Sequence, residues 1–250
     1  MGNPVIRRLE HFLPLDEAEK AALSDLTTDY VRELAPREDL VLEGEPPRYV
    51  NLVLDGCACR YKMLEDGRRQ IVAFFVPGDL CDARVFILKA MDHSIAAIAQ
   101  TRVAQVPAER FIALTDRFPR LTRALWWNTL VHEAIAREWI LNIGQRSALE
   151  RMANLLCELF MRLRAVDMTR GEACDLPLTQ ADLGEALGIS TVHVNRTLQT
   201  LRAEGLISFK GGVLEVHDLP ALADLAMFNP NYLHLERGEA AGVARLLATT

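Results

Sequence analysis

No run of apolar residues in this 250-residue chain approaches the roughly 20 needed to cross a bilayer, which excludes a helical membrane span. The N-terminus opens on Arg7, Arg8 and Glu10 where a secretory leader would place an apolar stretch, so the chain is expected in the cytoplasm, with no membrane partner. Cysteine is sparse: the five, Cys57, Cys59, Cys81, Cys157 and Cys174, are odd in number and widely spread, which argues against a disulfide framework and for reduced thiols. Excess positive charge is lacking too. Lys plus Arg number 28 against 34 Asp plus Glu, and a net charge of −6 excludes a surface coated in positive charge for nonspecific nucleic-acid binding, so any DNA contact must be local. Repeats and low-complexity segments are missing. His93, His132 and His193 have no ligand-like spacing to cysteines or carboxylates, and no nucleophile–base pair is visible, so neither a metal nor catalysis is expected.

Half of the residues are apolar and a quarter charged, the mixture of a globular protein, and the length suits about two compact units. Short helical patterns such as Leu15 to Leu26, with Asp16 or Ser24 as a cap, read as a cover over the next segment. β-prone stretches at 39–43, 49–54, 57–64, 69–76 and 95–107 are separated by Glu43-Gly44-Glu45-Pro46-Pro47, Asp55-Gly56, Glu65-Asp66-Gly67 and Pro77-Gly78-Asp79. Such clusters supply turn dihedrals, so an antiparallel sandwich or roll is predicted. After Pro107 the period turns helical. From Phe118 to Leu141 a wide stripe (Leu121, Ala124, Leu125, Trp127, Val131, Ala134, Ile135, Trp139, Leu141), in a segment carrying Trp126 as well, can serve a core and a two-fold partner together. Asn142-Ile143-Gly144 is expected to interrupt that helix before a second one from about Gln145 to Arg164. The resulting division is 1–118 for the β-rich unit with its N-terminal helices, 119–143 for the dimerisation helix and hinge, 144–228 for a C-terminal helical unit, and 229–250 for a tail.

The segment from Leu178 to Leu198 carries the strongest signal. Thr179 with Asp182 forms a capping-box pair, Gly188 allows a tight turn, and Ser190 caps a helix running to about Ala203. Two short helices joined by a glycine turn are a helix-turn-helix. Leu183, Leu187, Ile189, Val194, Leu198 and Leu201 specify its inner face, and Gly184 lets the helices cross closely. Thr191, Val192, Asn195, Arg196 and Gln199 share the opposite side of the second helix, with His193 beside them. In a major groove that side offers Arg for guanine, Asn or Gln for adenine and an apolar contact for thymine methyls. Leu206 to Phe209 and Val213 to Val216 flank Lys210-Gly211-Gly212, a hairpin whose Lys210 can touch phosphate. The candidate DNA-binding residues are thus Thr179, Ser190, Thr191, Val192, His193, Asn195, Arg196, Gln199 and Lys210. Across 146–228 eight basic residues face eleven acidic ones, leaving Arg196, Arg202 and Lys210 as the basic footprint, which favours two half-sites over one.

In this order of roll turns, long helix and winged helix, through Glu43-Gly44-Glu45, Val53-Leu54-Asp55-Gly56, Pro77-Gly78-Asp79 and Leu178 to Ile207, the chain resembles the Crp/Fnr family of bacterial transcription regulators over roughly 20–228. The resemblance implies an α+β fold: an N-terminal antiparallel β-roll like a cyclic-nucleotide-binding domain, a long dimerisation helix and a C-terminal winged helix-turn-helix. It also implies a homodimer on a pseudo-palindromic promoter site of double-stranded DNA, and contact with RNA polymerase. The effector positions depart from the family. Counting from Gly78-Asp79, Ala83 stands where cyclic-nucleotide binders place a ribose-binding Glu, and His93, before Ser94, stands where they place a phosphate-binding Arg; Arg84 is a nearby cation. Cyclic AMP is not expected to bind, no cofactor is predicted and the effector is unassigned. An N-terminal cysteine cluster for iron and sulfur is also missing, since Cys57 is the first cysteine. The alternative reading is a small-molecule or cyclic-nucleotide sensor in which DNA binding is secondary.

Overall fold

A computed structural model describes residues 2–82 and 87–235, and shows an α+β fold. Asn3 caps α1 (Pro4–Leu9), its Oδ1 accepting from the Val5 and Ile6 amides at 3.0 and 3.4 Å. Asp16 and Glu19 form a reciprocal capping box that starts α2 (Glu17–Asp29). These helices are more than the cover expected from sequence: Val5, Leu9, Leu23 and Leu26 are buried in one core with Val50, Leu52 and Ala104.

Seven strands follow: β1 (Val31–Leu34), β2 (Asp39–Val41), β3 (Tyr49–Asp55), β4 (Ala58–Met63), β5 (Arg69–Phe75), β6 (Ser94–Ala97) and β7 (Thr101–Pro107). They pair antiparallel in two sheets, β1-β7-β3 and β2-β6-β4-β5. The predicted stretch 95–107 is therefore two strands, divided at Ile98–Gln100. Alternate residues point to opposite faces, so Leu34, Val53 and Val103 meet Ala58, Phe75, Ile95 and Ala97 between the sheets. Gly56 is obligatory at its turn: its φ is +81° and a Cβ there would lie 2.4 Å from the Gln100 carbonyl oxygen.

The helices α3 (Ala108–Arg117) and α4 (Pro119–Gln145) lead to α5 (Ala148–Ala165). Two sequence expectations are corrected here. First, α4 runs without interruption through Asn142-Ile143-Gly144, and the chain breaks at Arg146-Ser147. One glycine costs a helix about 1 kcal/mol. Local bonds offset this: the Asn142 side-chain amide donates to the Arg151 carbonyl, and Arg146 bonds the Asn142 carbonyl through its amide and Glu138 through its guanidinium. The stop signal is the Ser147/Glu150 capping box of α5. Second, the apolar stripe does not offer itself to a partner. Leu121, Ala124 and Leu125 are buried beside α1 and β3, while Val131, Ile135 and Trp139 are buried with α5. Of that stripe Leu141 is exposed, while Leu130 and Ile140 on the other side of α4 are 60% and 74% exposed.

Beyond α5 come β8 (Thr169–Arg170), β9 (Ala173–Asp175), α6 (Gln180–Leu187), α7 (Thr191–Ala203), β10 (Ile207–Lys210), β11 (Val213–Val216), α8 (Leu219–Ala226) and a 3-10 turn at Pro230–Leu233. The third sheet has the order β10-β11-β9-β8. The core beneath it is continuous with the outer face of β4 and β5: Cys59, Tyr61, Ile71 and Phe74 belong to the same buried cluster as Leu183, Ala186 and Leu198.

Candidate nucleic-acid interface

Local chemistry sets the two helices that carry the candidate site. Thr179 Oγ1 accepts from the Asp182 amide at 3.2 Å, and Asp182 Oδ2 accepts from the Thr179 amide at 2.8 Å, completing the expected capping box of α6. Gly188 ends α6 at φ +66°, a left-handed conformation suited to glycine. Ser190 Oγ then accepts from the His193 amide at 3.3 Å and starts α7. A side chain at Gly184 would place Cβ 2.7 Å from the Ile189 carbonyl oxygen, so glycine is what lets the turn cross α6.

Val194, Leu198 and Leu201 anchor α7 in the core. The other face is open: Thr191, Val192, His193, Arg196 and Gln199 are exposed, Asn195 is half-buried, and Val192 reaches 69% exposure, large for an aliphatic side chain. Arg196 makes no ion pair among the described residues, so its five N–H donors are free for a ligand. Thr179 and Ser190 sit exposed at helix N-termini, where orphan amides favour anions. In the hairpin β10–β11, Lys210 pairs with Val213 across Gly211 and Gly212 and stands exposed. Arg202 departs from the expected basic footprint: its guanidinium donates to the Phe209 carbonyl and ties α7 to the hairpin.

Three contacts with no sequence signal hold α6 against the roll. Arg37, in the turn between β1 and β2 at φ +68°, donates to both carboxylate oxygens of Asp182, at 2.5 and 2.9 Å. A non-glycine residue in that conformation is uncommon, so the surrounding bonds must hold it there. Burial alone would raise the Asp182 pKa, but the bonds from Arg37 and Thr179 outweigh it and lower it. Arg69 of β5 pairs with Glu185 at 2.9 Å and stacks on Tyr61, and Gln70 donates to the Ala186 carbonyl. The same carboxylate therefore caps the first helix of the motif and fastens it to the β-roll.

Deeper, Arg162 of α5 donates to Asp79 at 2.6 Å, to Glu158 at 2.9 Å and to the Phe74 carbonyl at 2.9 Å. Arg8 lies 4.0 Å and His132 3.7 Å from Asp79, and Trp139 and Tyr232 donate to Glu158. Asp79, from the Pro77-Gly78-Asp79 turn, thus connects the roll to α1, α4 and α5. Desolvation would raise its pKa, but Arg162, His132 and Arg8 together hold it well below the carboxylate range.

At the effector positions, Arg60 donates to the Cys81 carbonyl at 2.5 Å and to Asp82 at 2.7 Å, and its guanidinium stacks on Phe75. His93 lies between Asp82 and Asp92, at 3.2 and 2.6 Å, and Ser94 Oγ accepts from the Glu43 amide. Ala83 and Arg84 lie outside the described residues. The five cysteines are free and buried, and burial raises their thiols, Cys59 to about 11 against the opposing charge of Arg69 and Cys157 and Cys174 to about 12, so they stay protonated.

A Crp-like helix-turn-helix domain matches residues 150–225, and a cyclic nucleotide-binding domain matches residues 31–118. The chain is 31% identical over 175 residues to the nitrogen fixation regulation protein FixK of Bradyrhizobium diazoefficiens, covering 70% of this chain and 72% of that one. It is 27% identical over 199 residues to the transcriptional activator protein FnrL of Cereibacter sphaeroides, covering 78% and 79%. Among solved structures it is similar to FixK2 from Bradyrhizobium japonicum, with a TM-score of 0.69 and 28% identity over 78% of this chain and 96% of that one. It shares the fold of a CRP/FNR family regulator from Thermus thermophilus, with a TM-score of 0.60 and 19% identity over 83% and 100%. With the roll, the long helix and the winged helix-turn-helix in this order, the chain belongs to the Crp/Fnr family of transcription regulators.

Proposed function

We propose that the chain binds a pseudo-palindromic DNA site as a homodimer, with one α7 in the major groove of each half-site. The observation that carries this reading is the two-sided character of α7: one face is locked in the core by Val194, Leu198 and Leu201, and the other exposes Arg196, without an ion pair among the described residues, the polar Thr191, His193 and Gln199, and an apolar Val192. Arg196 reads guanine O6 and N7, Asn195 or Gln199 reads adenine, and Val192 packs on a thymine methyl. Thr179 and Ser190, with the amides they cap, and Lys210 hold phosphates and set the register.

The dimer forms through the outer face of α4. Trp126, Leu130, Glu133, Arg137 and Ile140 recur at 4-3-4-3 spacing, the repeat of a two-stranded seam. Burying one Leu and one Ile from each chain contributes about 1.5–3 kcal/mol per side chain. Membership of the family supports contact with RNA polymerase and a place in the cytoplasm as parts of this reading. Cyclic AMP is not the expected effector: Arg60, the cation at this position, is already paired with Asp82, whose carboxylate also lies 3.2 Å from His93 and would repel a phosphate.

Selection of bound sequences from a random DNA pool tests the reading. The expected product is an inverted repeat whose half-site centres lie about one helical turn apart. A pool without enrichment, or a single unrepeated half-site, contradicts it.

A further inference from the structure

The β-roll holds a cleft that the DNA-binding face does not use. It encloses about 540 Å³, within the range of small-molecule sites, and its residues come from β1, β2, β3, β7 and the 45–48 loop, with Met91. Neither His93 nor Ser94 is among the residues that line it. Backbone bonds frame one wall: the Gly44 amide donates to the Met91 carbonyl and the Met91 amide to the Glu45 carbonyl, both at 2.8 Å.

The polar groups of the lining are incompletely paired. Asn51, on β3, is 2% exposed, and its Oδ1 has no hydrogen-bond partner among the described residues. An orphaned buried acceptor has lost its bonds to water without replacement, and a donor in the cleft would restore one. Arg48 makes no ion pair among the described residues. Arg32 is already held by Glu38 and Gln105. Glu45 adds a carboxylate that accepts from the Leu42 amide. Between these groups the surface is apolar, made by Leu40, Val41, Pro46, Pro47 and Met91.

Both signs of charge and a buried acceptor surround an apolar space, so the complementary molecule carries a donor cation, an anion and an apolar body. We propose that this cleft binds a small zwitterion, an α-amino acid with an apolar side chain. Its ammonium bonds Asn51 Oδ1 and Glu45, its carboxylate pairs with Arg48, and its side chain lies among Leu40, Val41 and the prolines. This supplies the sensor domain of the proposed regulator with a ligand class. The binding itself stands apart from DNA recognition.

Calorimetry on the full-length protein without DNA tests it with L-leucine, L-methionine and L-phenylalanine, and with two truncated probes, 4-methylpentanoate and 3-methylbutylamine. At least one amino acid is expected to bind saturably at or below about 1 mM, with both truncated probes at least about tenfold weaker than leucine, as expected when a charge-assisted bond is lost. Asn51→Leu, of similar volume, is expected to weaken amino acid binding while leaving 4-methylpentanoate unchanged. Arg48→Gln, at an exposed position, is expected to weaken the amino acid and leave 3-methylbutylamine unchanged. No saturable heat with any of the three amino acids overturns the proposal, as does binding that survives both substitutions in variants with wild-type circular dichroism. Either failure leaves affinity for the selected DNA site unchanged, so it is distinguishable from failure of the DNA-binding reading.

Discussion

Asp79 shows how one residue of a turn reaches across the molecule. Pro77-Gly78-Asp79 was legible as a turn because glycine and proline announce one. Its partner Arg162, 83 residues later, was not, because nothing local marks a long-range ion pair. Removing one partner from a buried pair leaves an uncompensated charge, so Asp79→Asn is expected to lower unfolding stability by about 3–5 kcal/mol, measured by urea denaturation. The sign of the pH dependence follows from the shifts. The folded pKa of Asp79 lies below its unfolded value, so its contribution is complete above about pH 4 and is lost as pH falls further. Burial also lowers His132, against the pull of Asp79, so stability already begins to fall below about pH 6.5. Glu158 opposes this: burial raises its pKa against Arg162, so its contribution is complete below about pH 4.3 and lost as pH rises through its folded value. The urea midpoint of the wild type is expected to fall steeply below about pH 4, and Asp79→Asn to lack that steep segment.

At the scale of elements, caps were the readable features and faces were not. Thr179, Asp182, Gly188 and Ser190 announce α6 and α7 with bonds made inside four residues, and the structure has those bonds. The end of α4 was misplaced because Gly144 is a weaker stop than the Ser147/Glu150 box just beyond it. The stripe of α4 was visible, but periodicity does not say whether its own chain or a partner covers it. The wild type is expected to sediment as a dimer at micromolar concentration. Leu130→Glu with Ile140→Glu, on the exposed face, is expected to give a folded monomer. Val131→Glu, fully buried, is expected to unfold the chain instead. A monomeric wild type, or a dimer unmoved by the double change, contradicts the α4 seam. The contact of α6 with the roll supplies another test. Arg37→Ala leaves the buried Asp182 carboxylate without its cation, so amide hydrogen exchange in α6 is expected to speed up with that in β3 unchanged. Equal exchange in both would show that Arg37 does not hold the helix.

For the whole molecule, the order of roll, long helix and winged helix was legible because each unit has its own period and turn chemistry. The contact between units was not. Cys59, Tyr61, Ile71 and Phe74 lie on the outer face of the roll, and the sequence alone does not reveal that Leu183 and Ala186 cover them. This shared core places the Arg60–Asp82–His93 cluster, the Asp79–Arg162 pair and the motif in one connected body. Calorimetry with cyclic AMP is expected to show no binding tighter than micromolar, and a submicromolar affinity would mean that Arg60 and His93 move aside for it. The central claim, that the outer face of α7 reads DNA bases, rests most directly on Arg196. The measurement is the affinity of the wild type and Arg196→Ala for the selected site and for all base variants at each half-site position. The account expects a loss of about 1–3 kcal/mol per half-site, with preference relaxed at one base pair. Unchanged affinity and unchanged base preference in a variant with intact circular dichroism would contradict it.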